Sequence, residues 1–280
     1  MNYQWYPGHM TKAVRMMRDE IKLVDIVIEL LDARVPVSSK NPDIDELSKG
    51  KGRLIVLNKY DLADEAATCR FEEDFLKKGF TVVKTDSRNT GSVKKINDAI
   101  MEAGREKFER DRKKGIINRP VRAMVCGIPN AGKSTLINSL AKKASAKTGN
   151  KPGVTKGKQW IRLNKQVELL DTPGILWPKF EDQSIGMKLA IVGTINDDII
   201  DHSELAVKLM ELLRDRYPDA LVDRYGEGIK GITDPVSVLS AVAQCRGALL
   251  KGGEYDLNKA SKIILDDFRS GKLGRITLDE

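Results

Sequence analysis

Short apolar runs, each followed by turn or polar residues and then by an amphipathic stretch, recur through roughly the first 180 residues of the chain. This alternation predicts a parallel sheet covered by helices. The runs Ile26 to Leu31, Leu54 to Leu57, Thr81 to Val83, Val121 to Cys126 and Val167 to Leu170 predict strands. Helices are predicted around Lys12 to Lys22, Glu65 to Lys78, Ser92 to Lys113 and Ser134 to Lys142. Gln159 to Leu163 alternates at the period of a strand, and Asn164 and Lys165 can turn it back onto Val167 to Leu170 as an antiparallel hairpin. The first unit is therefore a doubly wound α/β domain, residues 1–180.

After Pro178 the spacing of apolar positions changes from two to three or four. Leu205, Leu209, Leu212 and Leu213 predict one helical face, Val238, Val242 and Leu249 a second, and Ile263, Ile264 and Phe268 a third. Residues 181–280 are read as a smaller all-α domain.

Charge adds a feature that the hydropathy pattern does not contain. The chain has 48 basic and 40 acidic residues, a net +8, yet Arg112 to Val167 holds 14 Lys and Arg and no Asp or Glu. The remainder is net −6, and residues 181–280 alone are net −5. So one-sided a segment suits polyanions, either nucleotide phosphates, nucleic acid or both. No run approaches the roughly 18 apolar residues of a membrane span. The N-terminus lacks the pattern of a secretory or transit segment. Cys69, Cys126 and Cys245 are far apart, without metal-ligand spacing. A cytoplasmic protein without a zinc site is expected.

Gly127-Ile-Pro-Asn-Ala-Gly-Lys-Ser134 follows an apolar strand and opens a helix, the context that a phosphate-binding loop of the form G-x-x-x-x-G-K-[ST] requires. Its glycines let backbone N–H groups turn inward onto phosphates at a helix N-terminus. Asn130, Ala131, Gly132, Lys133, Ser134 and Thr135 are the expected nucleotide contacts, with Lys133 on the β- and γ-phosphates and Ser134 on Mg²⁺. Asp171-Thr-Pro-Gly174 ends a strand, where Asp171 can hold Mg²⁺ through water and the Gly174 N–H can meet the γ-phosphate. Between them, Thr155 of Lys151-Pro-Gly-Val-Thr155 is placed to close over Mg²⁺ and the γ-phosphate. Asn58-Lys59-Tyr60-Asp61 follows another strand, and the Asp61 carboxylate can accept from guanine N1–H and the 2-amino group, a donor pair that adenine does not offer. Thr85, Asp86 and Ser87, after the next strand, are candidates for a contact to the base.

These are the five signatures of the Ras-like GTPases, standing in the order four, five, one, two, three. With Trp5-Tyr-Pro-Gly-His-Met10 at the start and Asp32-Ala-Arg34 after the first strand, the chain resembles the circularly permuted GTPases of the ribosome biogenesis GTPase A (YlqF-like) family. The resemblance implies a permuted P-loop GTPase domain with an all-α C-terminal unit, Mg²⁺-dependent GTP hydrolysis, and action on the large (50S) ribosomal subunit, its rRNA and its proteins. It implies stimulation of hydrolysis by that subunit. The hydropathy pattern leads us to expect no membrane partner, and no feature of the sequence demands a homo-oligomer.

Ras-like enzymes orient the attacking water with a Gln after D-x-x-G, a position held here by Ile175. Slow intrinsic hydrolysis is expected. Asn130 resembles the potassium-coordinating Asn of cation-dependent GTPases, a satisfied loop Asn being the alternative. His9 can position water once a partner orders the N-terminus. Two other functions remain open on sequence alone: a nucleotide-gated binding module that acts without turnover, and a metabolic P-loop kinase, which would leave N-K-x-D unexplained.

Overall fold

The structure is a computed structural model that describes residues 15–89, 91–116, 119–148, 160–171, 182–195 and 201–280; for 142–148 and 171 it describes the backbone. Helix α1 covers residues 15–20 of these. It precedes β1 (Ile26–Asp32), α2 (Pro42–Leu47), β2 (Gly52–Asn58), α3 (Glu65–Lys77), β3 (Thr81–Thr85), α4 (Ser92–Ala103), α5 (Arg105–Lys113), β4 (Val121–Gly127), α6 (Lys133–Thr148), β5 (Trp160–Arg162) and β6 (Val167–Asp171). Then come α7 (Gln183–Ile191), α8 (His202–Arg216), α9 (Ala220–Tyr225), α10 (Pro235–Arg246) and α11 (Leu257–Arg269).

Among the described residues, six strands form one sheet in the order β3-β2-β1-β4-β6-β5. All pairings are parallel except β5 with β6, the predicted hairpin, which forms the antiparallel edge. Helices cover both faces, so every residue of β1 is buried. Its even-numbered positions, Ile26, Ile28 and Leu30, join the large core. Val27 packs on the opposite face with Met17, Ile21, Met124 and Cys126. Glu29 is tolerated inside because Arg53 pairs with it at 3.0 Å and the Asn41 N–H donates to it at 3.0 Å. Burial nevertheless raises its pKa, against the pull of Lys40, Arg53 and that N–H.

The chain runs from β1 outward through β2 and β3, and then returns to the other side of β1 for β4 and β6. The reversal lies between β1 and β4, and it is outside the carboxyl ends of strands at such a point that open α/β sheets bind ligands. Register aligns those ends, with Asp32 opposite Asn58, Asn58 opposite Thr85 and Leu30 opposite Gly127.

Two sequence expectations change. The predicted helix over Ser92 to Lys113 is two helices, interrupted at Gly104. Leu249 is half exposed and lies beyond α10, bridging to Tyr255, because Gly247 ends that helix in the left-handed conformation at φ 61°. The other expected helical faces form: Leu205, Leu209 and Leu213 of α8 and Ile264 and Phe268 of α11 are buried, with Ile263 partly buried beside them.

The helices after Gln183 share one continuous core with the sheet. The segment after α11 then returns to it. Ile276 N–H donates to Leu62 O at 3.1 Å and Leu278 N–H to Arg34 O at 2.7 Å. The Asp279 carboxylate receives the Val37 and Ser38 N–H groups, each at 2.8 Å, and Lys188 Nζ at 3.0 Å.

Candidate nucleotide site

The loop after β4 can form only with glycine at two positions. Gly132 has φ 97°, and a Cβ there would lie 2.4 Å from Asn58 Nδ2. Gly127 has φ 155°, and its Cβ would lie 2.5 Å from the Leu30 carbonyl oxygen on the neighbouring strand. Without side chains at these positions, the Asn58 amide reaches the loop and donates to Ala131 O at 2.6 Å. Ile128 and Ala131 are buried and anchor the loop from beneath. At the opening turn of α6, Ser134 and Thr135 are exposed and Lys133 is half-buried. A helix N-terminus that leaves these groups accessible is a ready anion site.

Asn58 serves as the hub of three loops. Its Oδ1 accepts from the Ser87 N–H at 2.9 Å and the Ser87 hydroxyl at 2.7 Å, while its amide holds Ala131. Ser139 of α6 adds a hydroxyl bond to Ser87 O at 2.9 Å. Lys59 and Asn130 both hold left-handed backbones, φ 59° and 60°, uncommon for residues with a side chain. They meet directly, the Lys59 ammonium donating to Asn130 O at 2.8 Å. Strain of this kind persists where surrounding contacts over-determine the conformation, typically at ligand sites.

Asp61 offers a free acceptor at the edge of this arrangement. Its Oδ1 is buried without a hydrogen-bond partner, while Oδ2 pairs with Arg88. Buried acceptors are normally satisfied, so this oxygen is suited to a donor supplied by a ligand. Arg88 also grips Asp86 at 2.9 Å. Partial burial would raise the Asp86 carboxyl, but the Arg88 guanidinium and N–H outweigh it and lower its pKa. The Thr85 hydroxyl is likewise buried and unpartnered.

Beneath the loops lies a buried ion cluster. Arg34 is 1% exposed and pairs bidentately with Asp32, Nε to Oδ1 at 2.9 Å and Nη2 to Oδ2 at 2.8 Å. Lys59 joins the same Oδ2 at 2.9 Å. Burial alone would raise the Asp32 carboxyl, but Arg34 and Lys59 together outweigh it and hold it well below the ordinary carboxylate range. Asp32 and Arg34 enter the sequence analysis only through a resemblance; the available signal is an acid ending a mostly apolar strand, with a base two residues later. Arg34 also stacks on Phe268, 5.4 Å from the ring centre, and donates to Arg269 O at 3.2 Å. Arg269 in turn donates to Ile191 O and Ala190 O, each at 2.9 Å, and the Asn130 amide donates to Gly193 O at 2.6 Å. A closed circuit therefore runs from the P-loop through Lys59, Asp32, Arg34 and α11 to the end of α7 and back.

The structure thus brings Asn58, Lys59, Asp61, Thr85, Asp86 and Ser87 around Asn130 to Thr135. The Asp171 backbone ends β6, level with Val125 on β4. His9, Thr155 and Gly174 lie outside the described residues.

Comparison with known proteins agrees with this arrangement. The family profile described as "50S ribosome-binding GTPase" matches residues 122–223. Ribosome biogenesis GTPase A of Bacillus cereus is 46% identical over 280 residues, covering 100% of this chain and 94% of that protein. Mitochondrial ribosome-associated GTPase 1 of Xenopus tropicalis is 32% identical, covering 98% of this chain and 94% of the relative. The solved GNP-bound YlqF of T. maritima superimposes with a TM-score of 0.68 at 29% identity, covering 96% of this chain and 98% of that one. A GDP-bound YlqF structure gives 0.72 at 28% identity, covering 95% and 99%. With the permuted loops meeting at the sheet's reversal point and relatives aligned along its whole length, the chain belongs to the ribosome biogenesis GTPase A family: it is a circularly permuted GTPase that binds guanine nucleotides and hydrolyses GTP.

Proposed function

We propose that this GTPase assembles the large (50S) ribosomal subunit, that its nucleotide state controls association with the rRNA-rich precursor particle, and that the particle stimulates hydrolysis. One observation carries most weight. The stretch matched by a 50S ribosome-binding profile, 122–223, begins inside the acid-free segment and contains the P-loop, so phosphate chemistry and charge for RNA share one part of the chain. The work is cytoplasmic in this reading, as expected of a ribosome assembly factor. Residues 1–180 form the nucleotide-responsive unit and 181–280 the helical unit that responds.

In the site, Asp61 reads guanine, Thr85 to Ser87 support the base, and Asn58 and Lys59 hold the base loop against the P-loop. Asn130 to Thr135 contact the nucleotide, with Lys133 on the β- and γ-phosphates. GTPases of this class generally use Mg²⁺. Exposed Ser134, in the first turn of α6, and Asp171, whose backbone ends β6, are the residues that would hold such a hard cation through oxygen. Thr155 completes this set and the Gly174 N–H takes the γ-phosphate. Mg²⁺, when bound, neutralises charge on the transferring phosphoryl group. Asn130 Oδ1 is the atom that a potassium ion would use, and His9 is the water-positioning group.

The test is steady-state GTP hydrolysis with and without purified large subunits, in potassium and in sodium buffer. A large stimulation that is lost in Lys133→Ala is the expected result, with His9→Ala slowing stimulated turnover and leaving GTP affinity intact. Absence of stimulation by both mature and precursor subunits overturns the ribosomal reading. Equal rates in potassium and sodium overturn the role given to Asn130.

A further inference from the structure

The nucleotide site uses only one end of the acid-free segment. β4 runs from Val121 to Gly127, and seven residues at about 3.3 Å each hold its ends about 20 Å apart. The cations that precede β4 therefore cannot reach the phosphates bound after it. At that far, amino end of the sheet, a cleft of about 720 Å³ opens between the end of α5, the approach to β4 and the β5–β6 turn. Arg112, Arg119, Arg162 and Lys165 line it, together with apolar Phe108 and Ile116.

The acids nearby do not cancel this charge. Asp111, in the lining, pairs with Lys107, and Asp25 is shared between Lys107 at 3.7 Å and Arg119 at 4.0 Å. Among the described residues, Arg112, Arg162 and Lys165 have no carboxylate within ion-pair distance, and all three are exposed. Two chain segments, the end of α5 and the β5–β6 turn, thus bring unneutralised cations to one concavity, Arg119 adds a third segment's cation held only loosely by Asp25 at 4.0 Å, and the remainder of the chain is net −6. Outside the acid-free segment bulk charge gives no reason to hold RNA; a local receptacle built from that segment does.

We infer that this cleft is a binding site for an RNA phosphodiester backbone, in which Arg112, Arg119, Arg162 and Lys165 take the phosphates and Phe108 and Ile116 meet sugar or base faces. The inference rests on the reading of this GTPase as acting on an RNA-rich particle. It adds that one RNA contact lies at the opposite end of the sheet from GTP.

Fluorescence anisotropy with a labelled RNA hairpin, measured on the full chain over a KCl series, tests it. For the wild type, four phosphate contacts predict that log K falls with log[KCl] with a slope of about −3 to −4. The variant Arg119→Glu, Arg162→Glu, Lys165→Glu is expected to bind about 100-fold more weakly and to lose about three from the slope. The control variant Lys77→Glu, Lys94→Glu, Lys95→Glu makes the same change in net charge at exposed positions outside the cleft and is expected to lose far less. Equal losses in the two variants, or no loss in the first, overturn the cleft. The same substitutions to Gln, with thermal melting as a check on folding, replace the Glu variant if it does not fold. Sedimentation with large subunits separates the two readings. A wild type that binds the hairpin but no ribosomal particle sinks the ribosomal reading and leaves the cleft standing. A cleft variant that loses the particle yet keeps the hairpin identifies an acidic protein surface instead and overturns the RNA site.

Discussion

The two ends of the same parallel sheet treat charge in opposite ways. At the carboxyl end, Asp32, Arg34 and Lys59 are drawn under the nucleotide loops and joined to one another within 2.9 Å. At the amino end, Arg112, Arg162 and Lys165 stay exposed and outnumber the acids around them. The difference is one of desolvation. A charge taken out of water needs a partner of the same chain, fixed in place, whereas a solvated charge can wait for a partner from outside. Charges that hold the site together are therefore found inside, and charges offered to another molecule are found where water still reaches them.

The largest break in this contrast comes from Asp32. Asp32→Ala leaves the Arg34 guanidinium buried without its carboxylate, and a loss of about 3–5 kcal/mol in unfolding free energy is expected by urea titration. Guanine nucleotide affinity should fall as well, since Lys59 loses one of its two anchors. Adding Arg34→Leu should recover part of the stability, because an apolar pair of similar bulk needs no counter-charge. The pH dependence has a definite sign. The folded-state pKa of Asp32 is lowered, so its contribution is complete above the unfolded value of about 3.9 and is lost as pH falls from there toward the folded value. Asp32→Asn should flatten the acid limb of the stability curve below about pH 4; an unchanged limb would show that other carboxylates set it.

Asp61→Ala comes next. With the proposed pair of guanine donors on this carboxylate, its removal should weaken GDP binding by about 3–6 kcal/mol, at about 1.5–3 kcal/mol for each charged hydrogen bond. The melting temperature without nucleotide should barely move. Equal losses for guanine and adenine nucleotides in titration calorimetry would show that Asp61 does not read the base.

Gly132→Ala should cost about 1–3 kcal/mol, since it forces a side chain into a left-handed backbone and onto Asn58 Nδ2. Hydrogen exchange should show loss of protection in the P-loop and in the loop bearing Ser87, because both are fastened by Asn58. Protection lost in the P-loop alone would mean that Asn58 is not the hub. The smallest effect belongs to the open end of the sheet. Lys165→Ala should leave stability within about 0.5 kcal/mol and reduce the salt slope of RNA binding by about one; a measurable drop in melting temperature would show that Lys165 is structural.

Much of the nucleotide site was legible because its parts are local. A strand, a glycine turn and a helix start lie within a few residues of one another, so Val121 to Ser134 and Leu54 to Asp61 announce themselves by composition and spacing. The β5–β6 hairpin was legible for the same reason. Arg88 was not, because nothing near it in sequence indicates that its guanidinium crosses to Asp61, 27 positions away. Gly104 was missed because continuous helical spacing on both sides hides a break between α4 and α5.

The sequence by itself thus determined most of the elements, the permuted order of the loops, the N-K-x-D run from Asn58 to Asp61 and the presence of a one-sided basic segment. Tertiary structure alone decided which of those groups meet. It joined Asn58 to Ala131 across 73 positions and Arg34 to Arg269 across 235. It brought Asp279 back onto Ser38, and it divided the basic segment between the two ends of β4. The reason is physical. Local periodicity reflects the cost of exposing apolar surface within one element. Long-range ion pairs and clefts depend on how sheet order and register place distant residues, and no short stretch of sequence carries that information.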